Sequence, residues 1–177
     1  MVFSGQPLPV ASNAIVVAAV AGSGGVGAAV DLRTRRVPNW LTLTITGVGI
    51  NLAAAHLTTV SVAGALGGFA VGLLMMLPGH IVGATGAGDV KLFAAIGTLL
   101  GPTRIGMAFV YTAILGGAPA LLVAMYRGRL QATLQDTATL VMTGGANVAQ
   151  IERPTTDNRF AYAPAIAIGT IVAALGF

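Results

Sequence analysis

The sequence predicts an all-α, polytopic integral membrane protein with about six transmembrane helices, and two observations lead to this fold class. First, 55% of the 177 residues are hydrophobic and only 8% are charged, whereas a soluble domain carries about a quarter charged residues. Second, the apolar residues form six segments separated by short polar connections. Because so few charges cannot cover a globular surface, we expect the chain to lie in a lipid bilayer.

The six apolar segments differ in length and span about 12–30, 40–57, 60–82, 89–101, 105–126 and 162–177. A helix that crosses the hydrocarbon core needs about 20 residues, and the first, second, third and fifth segments suit that length. The fourth and sixth are shorter, so we expect the fourth to be tilted or preceded by irregular backbone. Residues 1–177 are expected to form a single transmembrane domain.

The basic residues indicate the orientation of the helices. Eight of the nine Lys and Arg residues lie in connections on one side of a six-helix bundle: Arg33, Arg35, Arg36, Lys91, Arg127, Arg129, Arg153 and Arg159. Cytoplasmic connections collect Lys and Arg, so this side is predicted to be cytoplasmic and both termini to lie outside. The basic clusters lack interleaved aromatic residues, which argues against a nucleic acid as partner.

The longest polar stretch, 127–161, separates the fifth and sixth segments. Its apolar residues Leu130, Leu134, Val141 and Met142 follow helical spacing, which predicts an amphipathic connector on the cytoplasmic face. Such a connector can either lie on the membrane surface or contact a substrate, and the sequence leaves both possibilities open.

Glycines recur every fourth residue in the third segment, at Gly64, Gly68 and Gly72. Residues four apart share one face of a helix, so this spacing predicts close approach of a neighbouring helix.

Two acidic residues border the apolar segments, whereas the other three lie in the 127–161 stretch. Asp31 follows the first segment and Asp89 begins the fourth. Because successive helices alternate in direction, both carboxylates are predicted to reach the same membrane face. Ionisable groups at membrane spans are costly and usually functional, which favours a catalytic or binding role for the pair.

Simpler roles exist for each aspartate alone. Asp89 can cap the fourth helix, and Asp31 can pair with Arg33, Arg35 or Arg36. As a pair, two close carboxylates can share one proton, so that one acts as acid and the other as base. A proton-coupled or cation carrier is an alternative from a different functional class, although carrier sites lie near the middle of the membrane.

The stretch "GATGAGDVKL" at 83–92 places glycines directly before Asp89. Without Cβ atoms, Gly86 and Gly88 would let an extended peptide approach closely, so we take both as candidate substrate-binding residues. Lys91 joins them as a third candidate, although it can also simply mark the cytoplasmic side.

Three motifs resemble those of the type IV prepilin peptidases, which are GxGD-type intramembrane aspartic proteases. They are "DLRTRRVPNWLT" from Asp31, "GATGAGDVKL" with its Gly-x-Gly-Asp ending at Asp89, and "YAPAIAIG" from Tyr162. The resemblance implies a GxGD-protease-like helical bundle in which Asp31 and Asp89 are the catalytic pair and no cofactor takes part. It also implies cleavage of single-span prepilins with basic leaders, at the cytoplasmic face of the bacterial inner membrane.

The absence of cysteine refines this resemblance. Many members of the family carry a cytoplasmic insertion with paired CxxC motifs, so this chain resembles the short, peptidase-only branch found in Flp/Tad-type pilus systems. An archaeal-type preflagellin peptidase is the nearest enzymatic alternative.

Other polar residues near these motifs are expected to have structural roles. Asn39 is predicted to cap the second helix, with Trp40 as an interfacial anchor. His80 is predicted to be structural, and with two histidines and no cysteine a metal site is not expected.

Overall fold

The computed structural model describes residues 10–34, 36–81, 85–126 and 162–176. Within these ranges the protein is helical and contains no strand. The helices are α1 (Val10–Thr34), α2 (Asn39–Ala54), α3 (Val62–Ile81), α4 (Ala87–Tyr126) and α5 (Ala163–Leu175). The predicted amphipathic connector 127–161 lies outside the described residues.

The all-helical membrane fold class is confirmed. Three stretches are long and apolar enough to cross a membrane, and they are Asn13–Thr34, Val62–Ile81 and Ala87–Gly117. Helix α5 is apolar but shorter. Large apolar side chains point outward from the bundle, and Leu43 and Leu74 are 70% and 64% exposed. Such exposure suits a surface that faces lipid, where apolar side chains carry no cost.

Helix α4 is a hairpin that contains both the fourth and the fifth predicted segments. Gly101 has φ 74° and ψ 174°, which interrupts the helical backbone. The Phe93 and Phe109 rings then meet edge to face with centroids 6.2 Å apart, whereas 16 residues of straight helix would separate them by about 24 Å. The chain therefore reverses at Gly101, where only glycine adopts a positive φ without strain.

The glycine stripe of α3 packs against the first half of α4. A Cβ at Gly68 would collide with the Gly97 carbonyl, and one at Gly72 would lie 3.1 Å from the Ala94 Cα. Close packing is therefore confirmed at these two positions. The prediction is wrong for Gly64, where a Cβ would meet side chains of the preceding turn and no atom of another described helix within 4 Å.

The first half of α4 lies at the centre of the bundle. Its apolar residues from Leu92 to Ile96 have no exposed surface. Helices α1, α2, α3 and α5 all contact α4. A residue in the first turn of α4 is therefore held in place by the surrounding helices.

Candidate active site

Asp31 lies on the buried face of α1. This face also carries Val20, Gly24 and Gly27, at the four- and three-residue spacing that lines one side of a helix. Asp31 is only 9% exposed and lies in the last turn before α1 ends at Thr34. The sequence placed Asp31 just beyond an apolar segment, whereas the structure continues the helix through it because its buried face continues.

Asp89 is the third residue of α4 and forms a reciprocal cap with Gly86. The Asp89 N–H donates to the Gly86 carbonyl oxygen at 3.1 Å, and the Asp89 carboxylate accepts a hydrogen bond from the Gly86 backbone. This arrangement satisfies donors at the start of the helix that would otherwise have no partner. The helix-capping role considered for Asp89 is therefore present in the structure, and it fixes the direction of the carboxylate.

The structure brings the two aspartates together. On one side of them, a Cβ at Gly27 of α1 would lie 2.7 Å from Leu92 of α4. On the other side, a Cβ at Gly88 would lie 3.1 Å from the Val37 Cβ, beyond the end of α1. The two segments therefore run antiparallel.

Asp31 lies about one turn after Gly27, and Asp89 lies about one turn before Leu92. Both aspartates therefore lie between these two contacts. One turn of helix is about 5.4 Å in each case, so both carboxylates reach the same level. They lie close enough for their charges to repel each other.

The three candidate substrate-binding residues lie in three different environments. Gly86 faces the site, since a Cβ there would lie 3.2 Å from the Asp89 Oδ2. At Gly88 the missing side chain makes room for Val37, as described above. The Lys91 Nζ donates to the Asn39 Oδ1 at 3.1 Å. Of the two glycines, Gly86 is therefore the one whose missing side chain leaves room beside a carboxylate.

The predicted capping role of Asn39 is wrong. Pro38 occupies the N-cap of α2 and forms no side-chain cap, while the Asn39 side chain accepts the hydrogen bond from Lys91. Trp40 is 62% exposed, as expected of an anchor on the outer surface of the bundle.

His80 links the end of α3 to the chain just before Gly86. Its Nδ1 lies 3.1 Å from the Thr85 carbonyl oxygen, and the Thr85 N–H donates to the Gly79 carbonyl oxygen at 3.1 Å. These contacts support the structural role expected of His80, because they hold the residue before Gly86 against α3.

Tyr162 belongs to the same region, and sequence reasoning did not identify it as a site residue. It occupies the N-cap position of α5, and its hydroxyl donates to the Thr112 carbonyl oxygen at 3.4 Å. A Cβ at Gly116 would overlap its ring, whose Cζ would be 2.9 Å away. Tyr162 also lies within electrostatic range of Asp89. The motif "YAPAIAIG" marked this segment but gave no sign of its neighbours.

The described residues contain no group of three or more His, Asp or Glu side chains placed to hold a metal ion. Among the described residues, the two carboxylates and the Tyr162 hydroxyl lie near one another at the site.

Comparison with known proteins gives one positive result. No curated protein and no solved structure matches the chain. Residues 15–121, however, match the type IV leader peptidase family. The matched range includes both aspartates and every helix from α1 to the second half of α4. Because it covers more than half of the chain, this protein belongs to the type IV leader peptidase family and is a peptidase.

Proposed function

We propose that this protein is a membrane-embedded aspartic endopeptidase that cleaves the leader peptides of Flp/Tad-type prepilins. The observation that carries the proposal is the placement of Asp31 and Asp89 at one level by two antiparallel segments. Their charges interact, and Asp31 is almost fully buried. A buried carboxylate beside a second, partly buried one favours a state in which the two groups share a proton.

A shared proton gives the pair both functions that peptide hydrolysis needs. The ionised carboxylate takes a proton from a water molecule, and the water oxygen then forms a bond to the scissile carbonyl carbon. The protonated carboxylate donates its proton to the carbonyl oxygen. When the tetrahedral intermediate collapses, the C–N bond breaks, and the departing nitrogen receives a proton from the pair. No cofactor takes part in these steps.

The proposed substrate follows from the position of the site and the charges around it. Asp31 lies in the last turn of α1 and Asp89 in the first turn of α4, so the pair lies at helix ends. A site at this depth favours cleavage near the membrane surface over a carrier site in the middle of the membrane. The basic connections on this side support a cytoplasmic location, where the basic leader of a single-span prepilin would remain.

The proposal is tested by incubating the purified protein with a candidate prepilin in detergent micelles. We expect the wild-type protein to release the leader, and Asp31→Asn and Asp89→Asn each to abolish cleavage while the proteins remain folded. Asp136→Asn, in the 127–161 connector, is the matched control and should retain activity. Near-normal turnover of Asp31→Asn would eliminate the two-aspartate mechanism. Cleavage of a preflagellin but of no prepilin would replace the proposed substrate with the archaeal type.

The membrane face is tested separately by cysteine labelling, since the chain contains no native cysteine. We expect Thr34→Cys, at the end of α1, to react only with a reagent that reaches the cytoplasm. Thr58→Cys, in the connection between α2 and α3, should react from the opposite side. Labelling of Thr34→Cys from the periplasm would reverse the proposed orientation.

A further inference from the structure

Two contacts connect the chain that follows Asp31 to the chain around Asp89. Val37 is 8% exposed and fills the space beside Gly88, where a Cβ would lie 3.2 Å from the Val37 backbone nitrogen. Two residues after Val37 and three residues after Gly88, Asn39 accepts a hydrogen bond from the Lys91 ammonium at 3.1 Å. The first contact is apolar and buried, and the second is polar and exposed.

These contacts join the two segments that carry the aspartates, close to Asp31 and Asp89 in the sequence. Asp31 and Asp89 lie in terminal turns, which are the parts of a helix that open most easily. The Gly27–Leu92 contact brings α1 and α4 together on the membrane side of the pair. The Val37–Gly88 contact joins the two segments a second time, beyond the end of α1, and opposes movement of the two turns away from each other.

Lys91 has no geometric reason to act directly on Asp89. Residues two apart on a helix point in different directions, and the Lys91 ammonium is directed to Asn39 of α2. Its role is therefore to connect α4 with the start of α2.

We propose that Val37, Asn39, Gly88 and Lys91 form a clasp that sets the separation of the two carboxylates. Asn39 and Lys91 are then positioning residues, and Lys91 does not bind the substrate. This inference rests on the proposed function and adds to it the part of the protein that maintains the catalytic geometry.

The clasp is tested with a double-mutant cycle on leader cleavage. Lys91→Met keeps the aliphatic stem and removes the donor, and Asn39→Ala removes the acceptor. Both side chains are exposed, so both variants should fold. We expect each single variant to lower kcat by about tenfold with little change in KM, because a displacement of about 1 Å can cost as much as 100-fold. The double variant should be no slower than the slower single variant.

Two further measurements separate positioning from other roles. Asn39→Asp keeps an oxygen acceptor for the ammonium, so it should retain near wild-type kcat. The pH–rate profile of Lys91→Met should have its acidic and basic limbs closer together, because carboxylates that have moved apart interact less. Arg104→Met, which removes a cation far from the clasp in sequence, should leave both kcat and the profile unchanged.

The results distinguish this inference from the proposed function. If Asp31→Asn remains active, the proposed function fails. If both aspartate variants are inactive but Lys91→Met and Asn39→Ala act additively, only the clasp fails. A rise in KM for Lys91→Met with kcat unchanged would also overturn the clasp, because it would show that Lys91 binds the substrate.

Discussion

Gly27 makes a contact between α1 and α4 near the aspartates, and this contact gives a sharp structural test of the site. Gly27 lies one turn before Asp31 on the same buried face. Replacing Gly27 with alanine adds one methyl group at the point where α1 approaches Leu92. We expect this change to push the two helices apart and to lower both stability and turnover.

The magnitude follows from the space available. The new Cβ would lie 2.7 Å and 3.0 Å from the two terminal carbons of Leu92, whereas carbon atoms in contact prefer about 3.5–4.0 Å. Leu92 has no exposed surface, so its side chain has little freedom to turn away, and a shift of about 1 Å is needed. Overpacking of this kind costs about 1–3 kcal/mol, and a 1 Å misplacement of catalytic groups can lower turnover by as much as about 100-fold.

Gly25→Ala is the matched control, because a Cβ at Gly25 would have no atom of the described residues within 4 Å. Both variants gain the same helix propensity, about 1 kcal/mol for glycine to alanine. That gain cancels when they are compared, which leaves an expected difference of about 1–3 kcal/mol in unfolding free energy. Turnover per folded molecule and reversible unfolding are measured in the same detergent. If Gly27→Ala matches Gly25→Ala in both, the Gly27–Leu92 contact does not set the separation of the carboxylates.

Three further predictions concern the site and the fold. Cleavage should fall at low pH, where the basic member of the Asp31–Asp89 pair is protonated, and at high pH, where the shared proton is lost; a profile without both limbs would contradict a shared proton. Tyr162→Phe keeps the ring and removes the hydroxyl, so turnover should fall about fivefold to tenfold, equivalent to a hydrogen bond of about 1 kcal/mol; unchanged turnover would exclude the hydroxyl from the reaction. Gly68→Ala should lower the unfolding free energy by at least about 1–3 kcal/mol. Gly67→Ala should not lower it, because the new Cβ would meet its nearest neighbour at 3.9 Å. Equal stability of the two variants in detergent would refute tight packing at Gly68.

The sequence alone predicted the features that depend on hydropathy and on the order of the segments. Apolar segments indicate the positions of the helices, because a chain in lipid must satisfy its backbone hydrogen bonds internally and a helix does so. Alternating helix direction then places Asp31 and Asp89 at one level, without any knowledge of their contacts. The structure has this arrangement, and its physical basis is the buried face of α1 packed on the first half of α4.

The sequence did not predict contacts that depend on how distant segments meet. Lys91 and Asn39 are 52 residues apart, and their hydrogen bond has no local signature. Asn39 was therefore assigned the capping role that its residue type and position favour, whereas tertiary contact with Lys91 prevails. Similarly, a polar connection was expected between the fourth and fifth segments, because the sequence does not show that a single residue, Gly101, can reverse the chain.

The glycines around Asp89 show that two glycines of one motif can lie in different surroundings. Gly86 and Gly88 stand two residues apart in one motif, and both were assigned to substrate binding. Gly86 leaves room beside the Asp89 carboxylate, but Gly88 leaves room for Val37. The difference arises from helical geometry, since residues two apart point in different directions.

Two contacts between the segments flank the carboxylates along the helix axes. The Gly27–Leu92 contact lies on the membrane side of the pair, and the Val37–Gly88 contact lies on the other side. A single contact would allow α1 and α4 to pivot about it, so the distance between the carboxylates would vary. We expect two contacts, one on each side, to restrict the pivot, so that residues that touch neither carboxylate can set the distance between the two.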